Sequence, residues 1–166
     1  LDRLTAHGLI VASAISPDGK SIVYAKKENE KQSLWQRPAD GPSETRIVDA
    51  GPMTFSSLSF SPDGASIFFV GVEKGVSQPA LFRMSADGSD RRKLIAQVNS
   101  QIAFSPDGKL IAFVRDKDGE DELLMADANG ENERVLHTRK HPDVYSDGVS
   151  WSPDGKLIAV GALKRR

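Results

Sequence analysis

Apolar residues come in short paired runs along this chain, and the same tetrapeptide splits each pair. The runs Ala12–Ile15, Ser57–Phe60, Gln101–Phe104 and Gly148–Trp151 alternate small with large and end on Ile15, Phe60, Phe104 and Trp151. Ser-Pro-Asp-Gly follows each of them, and then a denser run: Ser21–Ala25, Ser66–Val70, Leu110–Val114 and Leu157–Val160. The dense runs are β-branched and aromatic and apolar at consecutive positions, which predicts strands buried on both faces. The tetrapeptide supplies the turn. Pro17, Pro62, Pro106 and Pro153 preset φ for the second position, and Asp18, Asp63, Asp107 and Asp154 suit the third. Gly19, Gly64, Gly108 and Gly155 provide the positive φ that closes it. Two apolar runs joined in this way predict a β-hairpin.

A second hairpin follows each of the first three. Leu34–Arg37 leads through Asp40-Gly41 to Thr45–Val48, and Leu81–Met84 through Asp87-Gly88 to Arg92–Ile95. Leu123–Met125 leads through Asn129-Gly130 to Arg134–Leu136. Asp-Gly and Asn-Gly are strong hairpin turns. These strands are more polar and are expected nearer solvent. The unit is thus four antiparallel strands, a to d, recurring every ~45 residues, which is the signature of a β-propeller blade. The fold class is all-β: a partial β-propeller of four-stranded antiparallel blades, with three full blades (about 10–49, 54–96 and 99–137), part of a fourth (146–163) and a stray outer strand at 2–5.

The pattern Ser-Pro-Asp-Gly, apolar strand, Leu-aromatic strand, Ala-Asp-Gly, Arg-Leu resembles the WD-like propeller repeat of the TolB-type family across essentially the whole chain. The resemblance implies a binding scaffold rather than a catalyst. Similar blades occur in periplasmic TolB, in the gating propellers of prolyl-oligopeptidase-type peptidases and in sensor propellers attached to bacterial serine/threonine kinases. The stretch from Leu4-Thr5 to Lys31–Trp35 looks most like the kinase-attached group, which implies an extracytoplasmic location, periplasmic in the TolB reading.

Composition narrows the partners. Lys plus Arg is 22 against 23 Asp plus Glu, a net charge of −1, so nothing electrostatic favours nucleic acid. There is no cysteine, which rules out disulfides and thiolate metal sites and fits a cytoplasmic or periplasmic home. No apolar run is long enough for a membrane helix, so membrane insertion of this segment is not expected, and no signal peptide is visible. Propellers close with about 4–8 blades. Three and a half therefore predict either a fragment of a longer chain or a homodimer that completes a ring. A protein or peptide is the expected partner, and no cofactor is expected.

Strand order places the Ser-Pro-Asp-Gly turns and the c–d turns on one face. The opposite face carries the b–c connections (26–32, 71–79, 115–121) and the d–a connections (49–54, 96–100, 137–147), which are expected to be longer. Binding residues concentrate on loops held by a rigid scaffold. The most varied loop is His137–Asp147, and its candidate binding residues are Arg139, His141, Asp143 and Tyr145. It reads either as a recognition loop or as a solvated connection between blades.

Catalytic and metal motifs are incomplete. His137 and His141 have zinc-helix spacing but lack the intervening Glu, and Pro142 forbids the helix. Ser150 begins an apparent nucleophile elbow, yet Ser152 stands where the second Gly is required. Asp116–Glu122 starts like a calcium loop, but Gly119 comes at the fourth position rather than the sixth, so a charged hairpin is the expected reading. No catalytic residue and no metal ligand is assigned. Trp151 and Trp35 are expected to pack in and between blades.

Overall fold

The computed structural model describes residues 9–164; the expected stray strand at 2–5 lies outside them. Fourteen strands form four antiparallel sheets, and the described residues contain no helix. The first sheet holds β1 (Leu9–Ile15), β2 (Ser21–Glu28), β3 (Lys31–Pro38) and β4 (Thr45–Gly51) in chain order. The second holds β5 (Thr54–Phe60), β6 (Ser66–Val72), β7 (Ala80–Ser85) and β8 (Arg92–Ala96). The third holds β9 (Ala103–Phe104), β10 (Leu110–Lys117), β11 (Glu120–Asp127) and β12 (Arg134–Lys140). β13 (Val144–Trp151) and β14 (Ile158–Leu163) form a two-stranded remainder.

One hydrogen-bond network builds all four Ser-Pro-Asp-Gly turns. The glycine N–H donates to the serine carbonyl at 2.8–2.9 Å, and glycine φ is +71° to +73°. The serine hydroxyl donates to the aspartate at 2.5–2.7 Å and accepts the N–H of the residue five places on, Ser21, Ser66, Leu110 or Leu157, at 2.9–3.0 Å. Each turn also lies close to the one before it. A Cβ on Gly64, Gly108 or Gly155 would meet the ring of Pro17, Pro62 or Pro106 at 3.7, 3.1 and 3.7 Å.

The core is three apolar layers, one between each pair of successive sheets. Val23, Ala25 and Leu34 meet Phe55, Leu58, Phe60, Ile67 and Phe69 in the first. Phe68, Val70 and Leu81 meet Ile111, Phe113 and Leu124 in the second, and Ala112, Val114 and Leu123 meet Val149 in the third. The second strands of the first three sheets are buried on both faces as their unbroken apolar runs require. The third strands, expected nearer solvent, are buried too: Leu34, Leu81 and Met84 are each 0% exposed. The outermost strands of these sheets face water, and β12 is the barest of them.

Three expectations are revised. The connections at 26–32 and 115–121 are not long: they are two-residue hairpin turns with positive φ at Asn29 and Glu30 and at Asp118 and Gly119, a geometry that matches strand twist. Residues 137–147 are not one loop, because β12 runs to Lys140 and β13 begins at Val144. The large residue ahead of each tetrapeptide points toward the preceding sheet. Phe60 is therefore buried, Phe104 and Trp151 pack against the layer before them, and Ile15, with no described sheet before it, is 62% exposed. Trp35 behaves similarly. It shares the face of the first sheet turned away from the second, where Lys26 Nζ and the Arg46 guanidinium lie 4.5 and 5.6 Å from its ring.

Candidate functional site

The turn at Asp118-Gly119 reverses β10 into β11 and sets Asp116 directly opposite Asp121. Asp121 belongs to the same face as Leu123 and Met125, the face of β11 turned toward the fourth sheet, and is only 5% exposed. From β12 the chain turns through His141, Pro142 and Asp143. The His141 N–H donates to the Gly119 carbonyl at 3.1 Å, which hangs this turn on the hairpin beside it.

Asp121 becomes the hub. Its Oδ2 accepts the backbone N–H of Tyr145 at 2.6 Å, and its Oδ1 lies 3.1 Å from His141 Nε2. Asp116 Oδ1 is 3.9 Å from the same ring nitrogen. His137 Nδ1 meets the Tyr145 hydroxyl. Arg139 pairs with Asp143 at 3.4 Å, and its guanidinium sits 5.6 Å from the Tyr145 ring centre. Burial raises the Tyr145 pKa; Arg139 opposes that shift and Asp121 adds to it. The cleft beside these groups has a volume of about 510 Å³ and is also bordered by Asn99, Val114, Pro142 and Val144.

Of the four residues expected to bind, the structure brings His141 and Tyr145 to one carboxylate and leaves Arg139 and Asp143 as a flanking pair. The carboxylate itself, Asp121, is not among the expected residues. Its signal was a charged residue in the apolar phase of a strand, two places before Leu123 and four before Met125.

The repeats supply a comparison within the chain. The residue aligned with Asp121 in the first sheet is Gln32, whose Oε1 accepts the Phe55 N–H at 2.6 Å. In the second sheet the Pro79 carbonyl accepts the Val98 N–H at 3.1 Å. All three are one latch, tying the start of a third strand to the chain of the next sheet. The backbone N–H donor persists while the acceptor changes from side-chain amide to backbone carbonyl to carboxylate.

Successive four-stranded antiparallel sheets, packed face to face through apolar layers and linked by recurrent turns, define a β-propeller segment. The chain belongs to the TolB beta propeller domain family, which matches residues 4–164. It is 28% identical over 154 residues to the uncharacterized protein Atu1656 of Agrobacterium fabrum, covering 87% of this chain and 52% of that one. It is 26% identical to the uncharacterized peptidase YuxL of Bacillus subtilis, covering 97% of this chain and 24% of YuxL. The structure of a proposed TolB from Agrobacterium tumefaciens superimposes with a TM-score of 0.79 at 24% identity, over 98% of this chain and 61% of that one, a likeness of fold. The chain thus spans about half of Atu1656 and a quarter of YuxL.

Proposed function

We propose that this chain is a non-catalytic binding segment of a larger propeller, and that a protein or peptide docks at the face bearing the Asp121 cleft. The observation that carries this reading is the cleft itself, where a recessed carboxylate and an imidazole meet beside the Tyr145 main chain between two sheets. Rigid sheets with polar groups gathered at one rim suit recognition, because little ordering entropy is lost on binding. Ile15 at one end and Leu157 at the other, 62% and 69% exposed, support completion of the ring by further blades of the same polypeptide or by a second copy. The TolB family supports an extracytoplasmic, periplasmic setting and an adaptor role. A sensor propeller beside a kinase domain belongs to the same reading.

The similarity to YuxL favours a second reading, in which these blades gate access to a peptidase domain elsewhere in the polypeptide. Two experiments separate the readings. Arg139, His141 and Tyr145 are replaced together by alanine and affinity for a partner identified by site-specific crosslinking from Tyr145 is measured; unchanged affinity rejects the docking reading. Labelling of the full polypeptide by a fluorophosphonate, lost when a serine outside these blades is replaced, selects the peptidase reading.

A further inference from the structure

We propose that Asp116, Asp121 and His141 form a site for one divalent first-row transition cation of the Zn²⁺ or Mn²⁺ kind. Each offers a ligand atom, and the three atoms lie within 4.8 Å of one another. Ligands bound about 2.0–2.2 Å from a common ion stand about 3–4 Å apart, and the observed separations from His141 Nε2 are 3.1 and 3.9 Å. Carboxylates alone suit magnesium or calcium; an imidazole shifts the set toward zinc and manganese.

The internal repeat shows that this chemistry exceeds what the fold needs. In the first sheet the latch is made by neutral Gln32, and the residue opposite it is Lys27. In the second a backbone carbonyl suffices. The third sheet replaces the amide with a buried carboxylate and sets a second carboxylate opposite it, a like-charged cross-strand pair that opposes folding. No Lys or Arg among the described residues lies within 4.0 Å of either group. Lys140 pairs with Glu120, and Arg139, across from Asp121 on β12, turns to Asp143 and the Tyr145 ring. A buried carboxylate calls for a counter-charge. His141 Nε2, the one basic atom in reach, is also a metal ligand when unprotonated. An ion held by these three groups keeps positions open toward the cleft for water or for a carboxylate of a docked partner. The site does not rest on that partner, because the chain alone is titrated below.

The test is calorimetric titration of the full chain with zinc chloride, and with manganese chloride followed by the loss of the free-ion EPR signal. One equivalent is expected for at least one ion. Asp116→Asn alters an exposed side chain outside the latch, and Asp121→Asn retains an oxygen for the Tyr145 N–H, as Gln32 does for Phe55. Both variants are expected to keep the wild-type circular dichroism and to bind about 10-fold or more weakly, and His141→Ala likewise. Variants His137→Ala and Asp143→Asn are expected to bind as wild type. No saturable binding of either ion to the wild type overturns the proposal. So does an affinity unchanged in Asp116→Asn, or lost equally in His137→Ala.

Discussion

Asp18, Asp63, Asp107 and Asp154 each accept a serine hydroxyl and a backbone N–H, and the serine bond is the larger reason their pKa values fall below the ordinary 3.8. A carboxyl lowered on folding stabilises fully above its unfolded pKa and loses that contribution as pH falls through the folded one. Urea midpoints are therefore expected to stay level from pH 7 to about 4 and to drop below it. Changing all four residues to asparagine should flatten that drop. Glycines divide by surroundings rather than by φ. Gly19 has φ +72° and nothing near its would-be Cβ, whereas Gly88 at +91° would drive a Cβ onto the Ile47 carbonyl oxygen of the preceding sheet. Alanine at Gly19 is expected to cost only the left-handed strain, about 1–2 kcal/mol. At Gly88 it should cost clearly more, because backbone has to move; chemical denaturation of both variants checks the order. These turn residues were legible in the sequence because the network is local. Asp121 was not, because its partners His141 and Tyr145 lie 20 and 24 residues away and are reached only when two sheets meet.

Each hairpin pair has its own logic at the scale of elements. β6 reads Ser-Ile-Phe-Phe-Val-Gly-Val and is buried almost throughout, because sheets cover it on both sides. Phe69 at its centre is stacked on Phe82 at 5.0 Å and meets Phe55 edge-on at 5.1 Å. Phe69→Ala should cost about 3–5 kcal/mol, with no collapse available to so rigid a setting. β14 carries an equally apolar run yet is mostly exposed, since among the described residues no strand follows it and no sheet covers it. In dilute solution, where the chain is monomeric, Leu157→Ser is thus expected to leave its stability within about 0.5 kcal/mol of wild type, where the same change at the aligned Leu110 destabilises. The sequence pattern made the strands legible. It could not distinguish buried from bare copies, because Leu157–Val160 and Leu110–Val114 differ in neighbours and not in composition. Loop lengths were misjudged for a related reason. Lys26–Gln32 and Arg115–Asp121 are rich in charged and polar residues, as a loop is, yet most of those residues continue the paired strands on either side of a two-residue turn.

Across the described residues, large apolar side chains are bare at both ends of the row of sheets. Ile15 and Leu9 are bare on the first sheet, Val135 and Leu136 on the outer strand of the third, and Leu157 and Leu163 on the fourth. Light scattering of the isolated chain is expected to report a mass of at least twice 18.0 kDa, with Ile15→Asp and Leu157→Asp reducing it; a clean monomer with these leucines bare instead requires covering blades within the same polypeptide. The Gly-on-Pro contacts between successive turns bear on how such a ring arises. Every repeat carries both members of the pair, a proline toward the next turn and a glycine toward the last, as Gly108 lies beside Pro62 and Gly64 beside Pro17 with little more than a methyl group's room between them. A copied repeat inserted by gene duplication arrives with its own plug and socket. Lengthening or shortening the array then needs no co-invention of an interface, so blade number can drift among descendants while the spacing of neighbours stays fixed.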